Sequence, residues 1–473
     1  MTRLAHLHGL RASVAAMAFA ACTAVPAHAQ DTAVVTDQSQ AQNTLPGSNV
    51  PEIRDDPYLR LRGDTTREDP VLNRVRRTSR MVENTDKGVP VLDRQRRFYD
   101  PVGVALGSFI LFPAITATSN YTNNVFRQSN ERSDGYLSTR AESVLRSNWS
   151  RHALTVDGFV QKDLHAEYTT ENNFTYRARA TGRTDILGSD SINMQLLHER
   201  VVQDRGGTGD IIVTRKPIRH DHTLAELGAK IGGRGRFIGK AVVRYSNNSY
   251  SNSVSPEGLP LVQRFRDNEE YGITGQLGYQ LAASRSLFIS LGQNMRRFSV
   301  DLGASRDVDT LEILGGIEGD VTPVIQGRFG VGYLRAKFVS ANFNSQGGYG
   351  IDAQLDFLVT ELTTVNFTAR RSLRNVAGVN SSAAFTTIFK IGIDHELLRN
   401  VIISPSIAYE TANYTDSDRS AKLFNGNLGA RWFISPRFRA NASAEFRKRN
   451  ADGFAANRDF SSIDLAAGLT WQL

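Results

Sequence analysis

A single cysteine, Cys22, stands in a chain of 473 residues. Disulfides are therefore excluded, as are metal sites built from several thiolates. Long apolar runs are also missing beyond the first 30 residues. A helical membrane span needs about 20 consecutive apolar residues, so helices do not carry this chain across a bilayer. There is no phosphate-cradling glycine loop and no nucleophile elbow, hence no cofactor and no catalytic residue to name. Acidic residues are the scarcer charge: 48 Asp and Glu face 56 Lys and Arg, a net +8. Such a balance suits nucleic acid, but the leader described next makes nucleic acid the wrong partner. Lipopolysaccharide phosphates and acidic polysaccharides fit better.

The one apolar stretch, "ASVAAMAFAACTAV", covers 12–25. Arg3 and Arg11 precede it, and Ala27-His28-Ala29 follows it. That is a secretory signal peptide over 1–29, cut before Gln30. Cys22 lies inside it, and Phe19-Ala20-Ala21-Cys22 is a poorer match to a lipidation site than Ala27-His28-Ala29 is to a cleavage site. Residues 30–104 are polar, mix charges of both signs and hold no sustained periodicity, which predicts a flexible periplasmic segment with a short helix at 70–81. Its plain role is a lead-in; its sharper one is docking to another envelope protein. Asp31-Thr32-Ala33-Val34-Val35 resembles a TonB box, but the chain has room for neither the plug nor the 22-stranded barrel of an energised transporter.

From 105 to 473 the pattern changes to segments that alternate apolar and polar residues. Tyr271, Ile273, Gly275, Leu277 and Tyr279 oppose Gly272, Thr274, Gln276, Gly278 and Gln280; Phe438, Ala440, Ala442, Ala444 and Phe446 oppose Arg439, Asn441, Ser443 and Glu445. A period of two places the sets on opposite faces of a strand. About 18 segments (16–20) fit, beginning near 107, 135, 152, 172, 189, 217, 235, 269, 285, 308, 324, 349, 362, 382, 400, 421, 436 and 460. Tight connections, such as 149–151, 232–234, 283–285 and 435–437, alternate with long ones, such as 203–216, 247–266, 339–347 and 450–459. Strands of this length suit a tilted crossing of about 9–11 residues, where soluble strands average five or six. In lipid every backbone group must be paired, so the strands must close. The expected fold is all-β, an antiparallel up-and-down transmembrane barrel with girdles at Tyr245, Tyr271, Tyr279, Tyr333, Tyr409, Trp432 and Trp471. The last strand, "SIDLAAGLTWQL", reads as the closing one, and Leu469, Trp471 and Leu473 resemble the signal that the barrel-assembly machinery recognises, with Leu473 where phenylalanine is usual.

The most specific phrase is "YDPVGVALGSFILFPAITATSNYTNNVFR" at 99–127. Its Asp-Pro-x-Gly, Gly-Ser-Phe-x-Leu-x-Pro and Tyr-x-x-Asn-Val-Phe elements resemble the start of the porin 2 family of Gram-negative β-barrels. The family commonly has Asp where this chain has Asn123. The resemblance implies an outer-membrane passage for exopolysaccharide, working with a periplasmic polysaccharide-export protein that lacks its own outer-membrane span.

With the apolar sets toward lipid, the lumen receives Lys240, Arg244, Arg296, Arg328, Arg370, Arg374, Lys390, Arg431, Arg437, Arg439 and Arg447. Asp352, Asp356, Asp394, Glu410, Glu445 and Asp464 join them. Two readings stand side by side: a basic lining that favours anions, or a ladder of mutually paired charges. His220-Asp221-His222 and Asp394-His395-Glu396 are polar rim residues, with too few ligands for a metal. Two functions remain open, an exopolysaccharide conduit and a diffusion porin for small, preferably anionic, solutes. In the porin, the 247–266 loop would fold inward as a constriction.

Overall fold

The computed structural model describes residues 88–473, except 95, 97, 187–189, 210–212, 233–234, 283, 301–304, 376–382, 416 and 454–457. The expected signal peptide, the TonB-like stretch, the 70–81 helix and Cys22 lie outside the described residues. Eighteen strands form one antiparallel wall. They are β1 (Phe109–Thr122), β2 (Asp134–Ser147), β3 (Ala153–His165), β4 (Asn173–Asp185), β5 (Ser191–Val202) and β6 (Arg219–Gly232). Next come β7 (Phe237–Tyr250), β8 (Asn268–Ala282), β9 (Arg285–Phe298), β10 (Val308–Thr322), β11 (Ile325–Phe338) and β12 (Gln346–Thr360). The last six are β13 (Thr363–Asn375), β14 (Ala383–Leu398), β15 (Val401–Tyr414), β16 (Ser420–Ser435), β17 (Phe438–Asp452) and β18 (Phe460–Gln472).

Each strand pairs with its neighbours in sequence, and β18 returns beside β1 with Asp464 opposite Thr122 and Gln472 opposite Ala114. The wall is a closed barrel. Every strand starts within three residues of its expected position. The connections alternate as the sequence implies: 148–152, 186–190, 283–284, 323–324 and 436–437 are short and lie at one end, whereas 123–133, 203–218 and 251–267 lie at the other. Chain direction puts the final residues at the short-turn end. There the Leu473 N–H donates to the Pro113 carbonyl at 3.2 Å.

The apolar sets face outward. Leu277 is 68% exposed and Ile273 55%, values that a soluble core never shows but that a lipid-facing wall requires. Aromatics gather in two bands. Phe237 opposes Tyr279 and Phe438 opposes Trp471 toward the short turns; Tyr245 opposes Tyr271, Tyr333 opposes Tyr349, and Tyr409 opposes Phe424 toward the long loops. One ladder break has a simple cause. Pro405 on β15 has no N–H, and the β14–β15 pairing skips Ile393 and Asp394 at that level.

Candidate functional site

The lumen is the candidate site. Ten of the eleven basic residues predicted to line it project inward from β7, β9, β11, β13, β14, β16 and β17. Arg437 instead lies in the 436–437 turn, exposed at the rim. Seven of the ten touch a carboxylate: Lys240 and Arg328 meet Glu318 at 2.7 and 2.8 Å, and Arg370 meets Asp352 at 3.2 Å. Arg244 meets Glu226 and Arg296 meets Glu270, each at 2.6 Å; Arg374 meets Glu410 at 3.3 Å and Arg447 meets Asp204 at 2.5 Å. The paired-ladder reading therefore describes these seven. Lys390, Arg431 and Arg439 face the lumen beside them.

A second set of lumenal charges escaped the sequence reading. Arg140, Arg177, Arg179 and Arg183 pair with Glu142, Glu199, Asp157 and Asp185 along β2–β5, at 2.7–2.8 Å. Their signal was present in "TYRARATGR", where arginines alternate with Tyr176, Ala178, Ala180 and Gly182. Exposure along this wall is uneven: the Arg183 and Asp185 side chains keep 26% and 19%, while Arg140 keeps 9% and Glu199 none. The lumen face of β2–β5 is thus lined by balanced charge.

At the long-loop end the 203–218 connection crosses the mouth. The 247–266 loop was expected there, but it packs beside this connection: Arg215 N donates to the Val254 carbonyl, and Arg266 Nη1 to Gln203 Oε1 at 2.7 Å. Leu259 and Val262 of that loop stay exposed. The crossing segment starts at β5 and is held by the opposite wall. Arg447 binds both oxygens of Asp204, Arg449 Nη1 donates to the Gly207 carbonyl at 2.9 Å, Thr208 bonds Glu410, and the Tyr414 hydroxyl donates to the Thr208 carbonyl. Gly206 is required at this approach, since a Cβ would lie 2.7 Å from the Phe460 ring and 3.0 Å from Arg447. Burial raises the Asp204 pKa, but the Arg447 guanidinium and the Gly206 N–H outweigh it and hold the carboxyl below its usual range.

The Asn-Val-Phe phrase also has a physical role here. Asn124 is fully buried; its side chain donates to the carbonyls of Gln128 (2.7 Å) and Ser461 (2.9 Å), tying the first long loop to β18. Arg127, with φ at 54°, turns inward onto Asp464 at 2.9 Å.

At the short-turn end, residues 88–94 and Arg96, part of the stretch expected to be a flexible lead-in, pack against the inner wall of the mouth. Val91 is fully buried against Ile402 and Phe433, and its N–H donates to Thr364 Oγ1 at 3.0 Å. Arg94 and Arg96 reach Glu396 at 3.8 and 3.6 Å, and Arg96 lies over the Phe433 ring. The strap thus lies against the β13–β16 side. Burying one valine contributes about 1.5–3 kcal/mol. Val91→Asp would put a carboxylate between Ile402 and Phe433, so trypsin should cut at Arg94 and Arg96 in the folded variant far faster than in the parent.

The two histidine phrases stay apart from any shared chemistry. His220 and His222 face inward and share Asn248 Oδ1, each at 2.9 Å, while Asp221 faces outward onto Arg200. Asp394 and Glu396 face inward, to Ser404 and to the strap; His395 faces outward to Thr363.

A family model described as "Putative beta-barrel porin 2" matches residues 97–473. The chain belongs to this family. No curated protein matches it. Among solved structures, this porin 2 barrel is similar to a substituted ferric enterobactin receptor from Pseudomonas aeruginosa in complex with enterobactin. That match has 8% identity, a TM-score of 0.43, and covers 77% of this chain and 81% of the receptor. The siderophore receptor PirA from Acinetobacter baumannii matches at 6% identity and TM-score 0.42, covering 76% and 80%. The outer membrane protein opdK of P. aeruginosa matches at 9% and 0.35, covering 77% and 99%. Likeness at this level carries no functional argument. The family and the closed, lipid-faced wall make the porin 2 chain an integral outer-membrane protein with a porin-like channel.

Proposed function

We propose that the channel is the outer-membrane passage for a secreted exopolysaccharide, and that it works as a conduit without catalysis. The observation that carries this reading is the charge-balanced β2–β5 wall. Paired arginines and carboxylates there offer donors and acceptors to hydroxyl groups without a net field. The short-turn end is periplasmic in this reading, so the strap at 88–94 enters the mouth from the side where a periplasmic export protein would hand over the polymer. Deleting the gene should abolish surface polymer and leave uptake of small solutes unchanged; polymer at parental levels would refute the proposal. The alternative, a diffusion porin for small anions, draws on the loop that narrows the long-loop mouth. It requires anion preference in planar bilayers and no polymer phenotype.

The same orientation assigns the outer leaflet to the long-loop half of the wall. Lys422 and Lys448 lie outward beyond the Phe424–Phe446 ring pair, and Arg335 and Lys337 lie beyond Tyr333, where lipopolysaccharide phosphates would meet them. Changing all four to Gln should lower the lipopolysaccharide that co-purifies with the barrel. An unchanged ratio would remove that partner.

A further inference from the structure

The strap at the short-turn mouth touches much of the barrel without forming part of its wall. At its far end the Gly88 carbonyl accepts from Gln326 Nε2 of β11 at 3.0 Å. Arg94 Nη1 donates to the Glu361 carbonyl in the turn after β12, and the Val91 N–H donates to Thr364 of β13. Arg94 and Arg96 share Glu396 of β14, while Ile402 of β15 and Phe433 of β16 enclose Val91. The contacts run from β11 to β16, six of the eighteen strands. They lie at the end where, in the conduit reading, a polymer enters.

The wall does not need these contacts. Thr364 already lies opposite Leu358 and Asp394, and Ile402 opposite Glu396 and Arg431. The strap also precedes residues 97–473, which carry the family match. Downstream of it the chain is anchored separately. Val104–Leu106 folds back on β1 through Gly107 and Ser108, with Val104 opposite Leu111 and Leu106 opposite Phe109. β18 covers the edge of β1 only from Ala114, so this short strand covers the edge below it. Gly103 is required at the anchor: its φ is 74°, and a Cβ there would lie 2.6 Å from Ile110 and Phe112. The strap can leave the mouth and the seam stays closed.

We propose that residues 88–94 with Arg96 are a removable stopper. Seated, they narrow the short-turn mouth; lifted, they clear it, with wall and seam unchanged. The proposal rests on the conduit reading above, because a chain-like substrate needs that entrance clear. Two points carry the hold. One is the Val91 side chain between Ile402 and Phe433. The other is the Glu396 carboxylate, which Arg94 and Arg96 reach at 3.8 and 3.6 Å, against 2.6–2.8 Å for the tighter lumenal pairs. Leaving exposes Ile402 and Phe433 to water and strips Glu396 of both arginines, so the seated strap is the resting state.

The full chain reconstituted in planar bilayers tests this. Glu396→Arg sets three cations together and should lift the strap, raising unit conductance several-fold. Val91→Cys with Thr364→Cys puts two sulfurs within cross-linking reach, since the Val91 N–H lies against Thr364 Oγ1 at 3.0 Å. The sequence has no cysteine beyond Cys22 to interfere. Combined with Glu396→Arg, the oxidised pair should hold conductance at the parental level, and reductant should raise it in the same molecules. In cells, where the periplasm keeps the pair oxidised, the double cysteine variant should lose surface polymer and either single variant should keep it. Heat-modifiable migration confirms that each variant is folded. A pair that never cross-links in folded protein, or a cross-link that leaves the Glu396→Arg conductance raised, overturns the stopper while the channel reading stands. A locked strap that still permits surface polymer at parental levels refutes the conduit reading instead.

Discussion

Deleting residues 471–473 should leave almost no heat-modifiable protein in the outer membrane. Trp471 opposes both Ile115 and Phe438, and Gln472 opposes Ala114 while its side chain donates to the Pro436 carbonyl at 3.1 Å. Leu473 adds the bond to Pro113. These contacts close the short-turn end of the one seam joined by the two ends of the sheet. Opening it exposes backbone donors and acceptors to hydrocarbon, where each costs several kcal/mol. The truncation also removes Trp471 from the girdle and two of the three residues that resemble the assembly signal. Replacing Leu473 with Phe is the informative control: it keeps the pattern and should assemble at least as well as the parent. Normal membrane yield of the truncated chain, measured by heat-modifiable migration, would show that closure at this end is dispensable.

Arg447→Ala should release the crossing loop and widen the long-loop mouth. The guanidinium is fully buried and binds both oxygens of Asp204. Removing one partner of such a pair leaves a stranded charge, at a cost of about 3–5 kcal/mol. The loop can avoid that cost by leaving the mouth. Unit conductance should rise several-fold and trypsin should gain access to Arg205; Arg447→Lys, which keeps the charge but not the two-pronged geometry, should fall between. The same contact fixes a pH window. Asp204 is held below the usual carboxylate range, so its contribution is complete above about pH 4 and disappears only as pH falls through the lowered value. Conductance should therefore be flat from neutral pH to about 4 and climb below it. A rise already at pH 6 would place the latch elsewhere.

The wall was legible because lipid imposes the simplest code. A period of two with an apolar outer face fixes strand, face and register at once, so Ile273 and Leu277 could be placed before any coordinates. What fills the wall obeys no such code. The strap at Val91 and the loop at Asp204 are held by partners hundreds of residues away, Thr364 and Arg447. A two-residue period has no term for such distances, so the sequence pattern points to the long 247–266 connection as the constriction, whereas 203–218 crosses the mouth. The β4 arginines are a different miss, since their alternation is as clear as that of β17. The long-loop end of β13–β14 sits at the limit: the period of two set by Arg370 and Arg374 puts Leu373 and Phe385 on the opposite face, yet both join a buried cluster with Leu334 and Phe338.

The most direct test of the account is the reversal potential of single channels in a potassium chloride gradient. A lumen lined by the pairs Arg179–Asp157, Arg183–Asp185 and Arg140–Glu142 should give discrete steps with weak ion preference. Changing Asp157 and Asp185 to Asn should turn the same steps anion-selective. Strong anion selectivity in the parent, or a folded, inserted barrel that passes no ions, would contradict it.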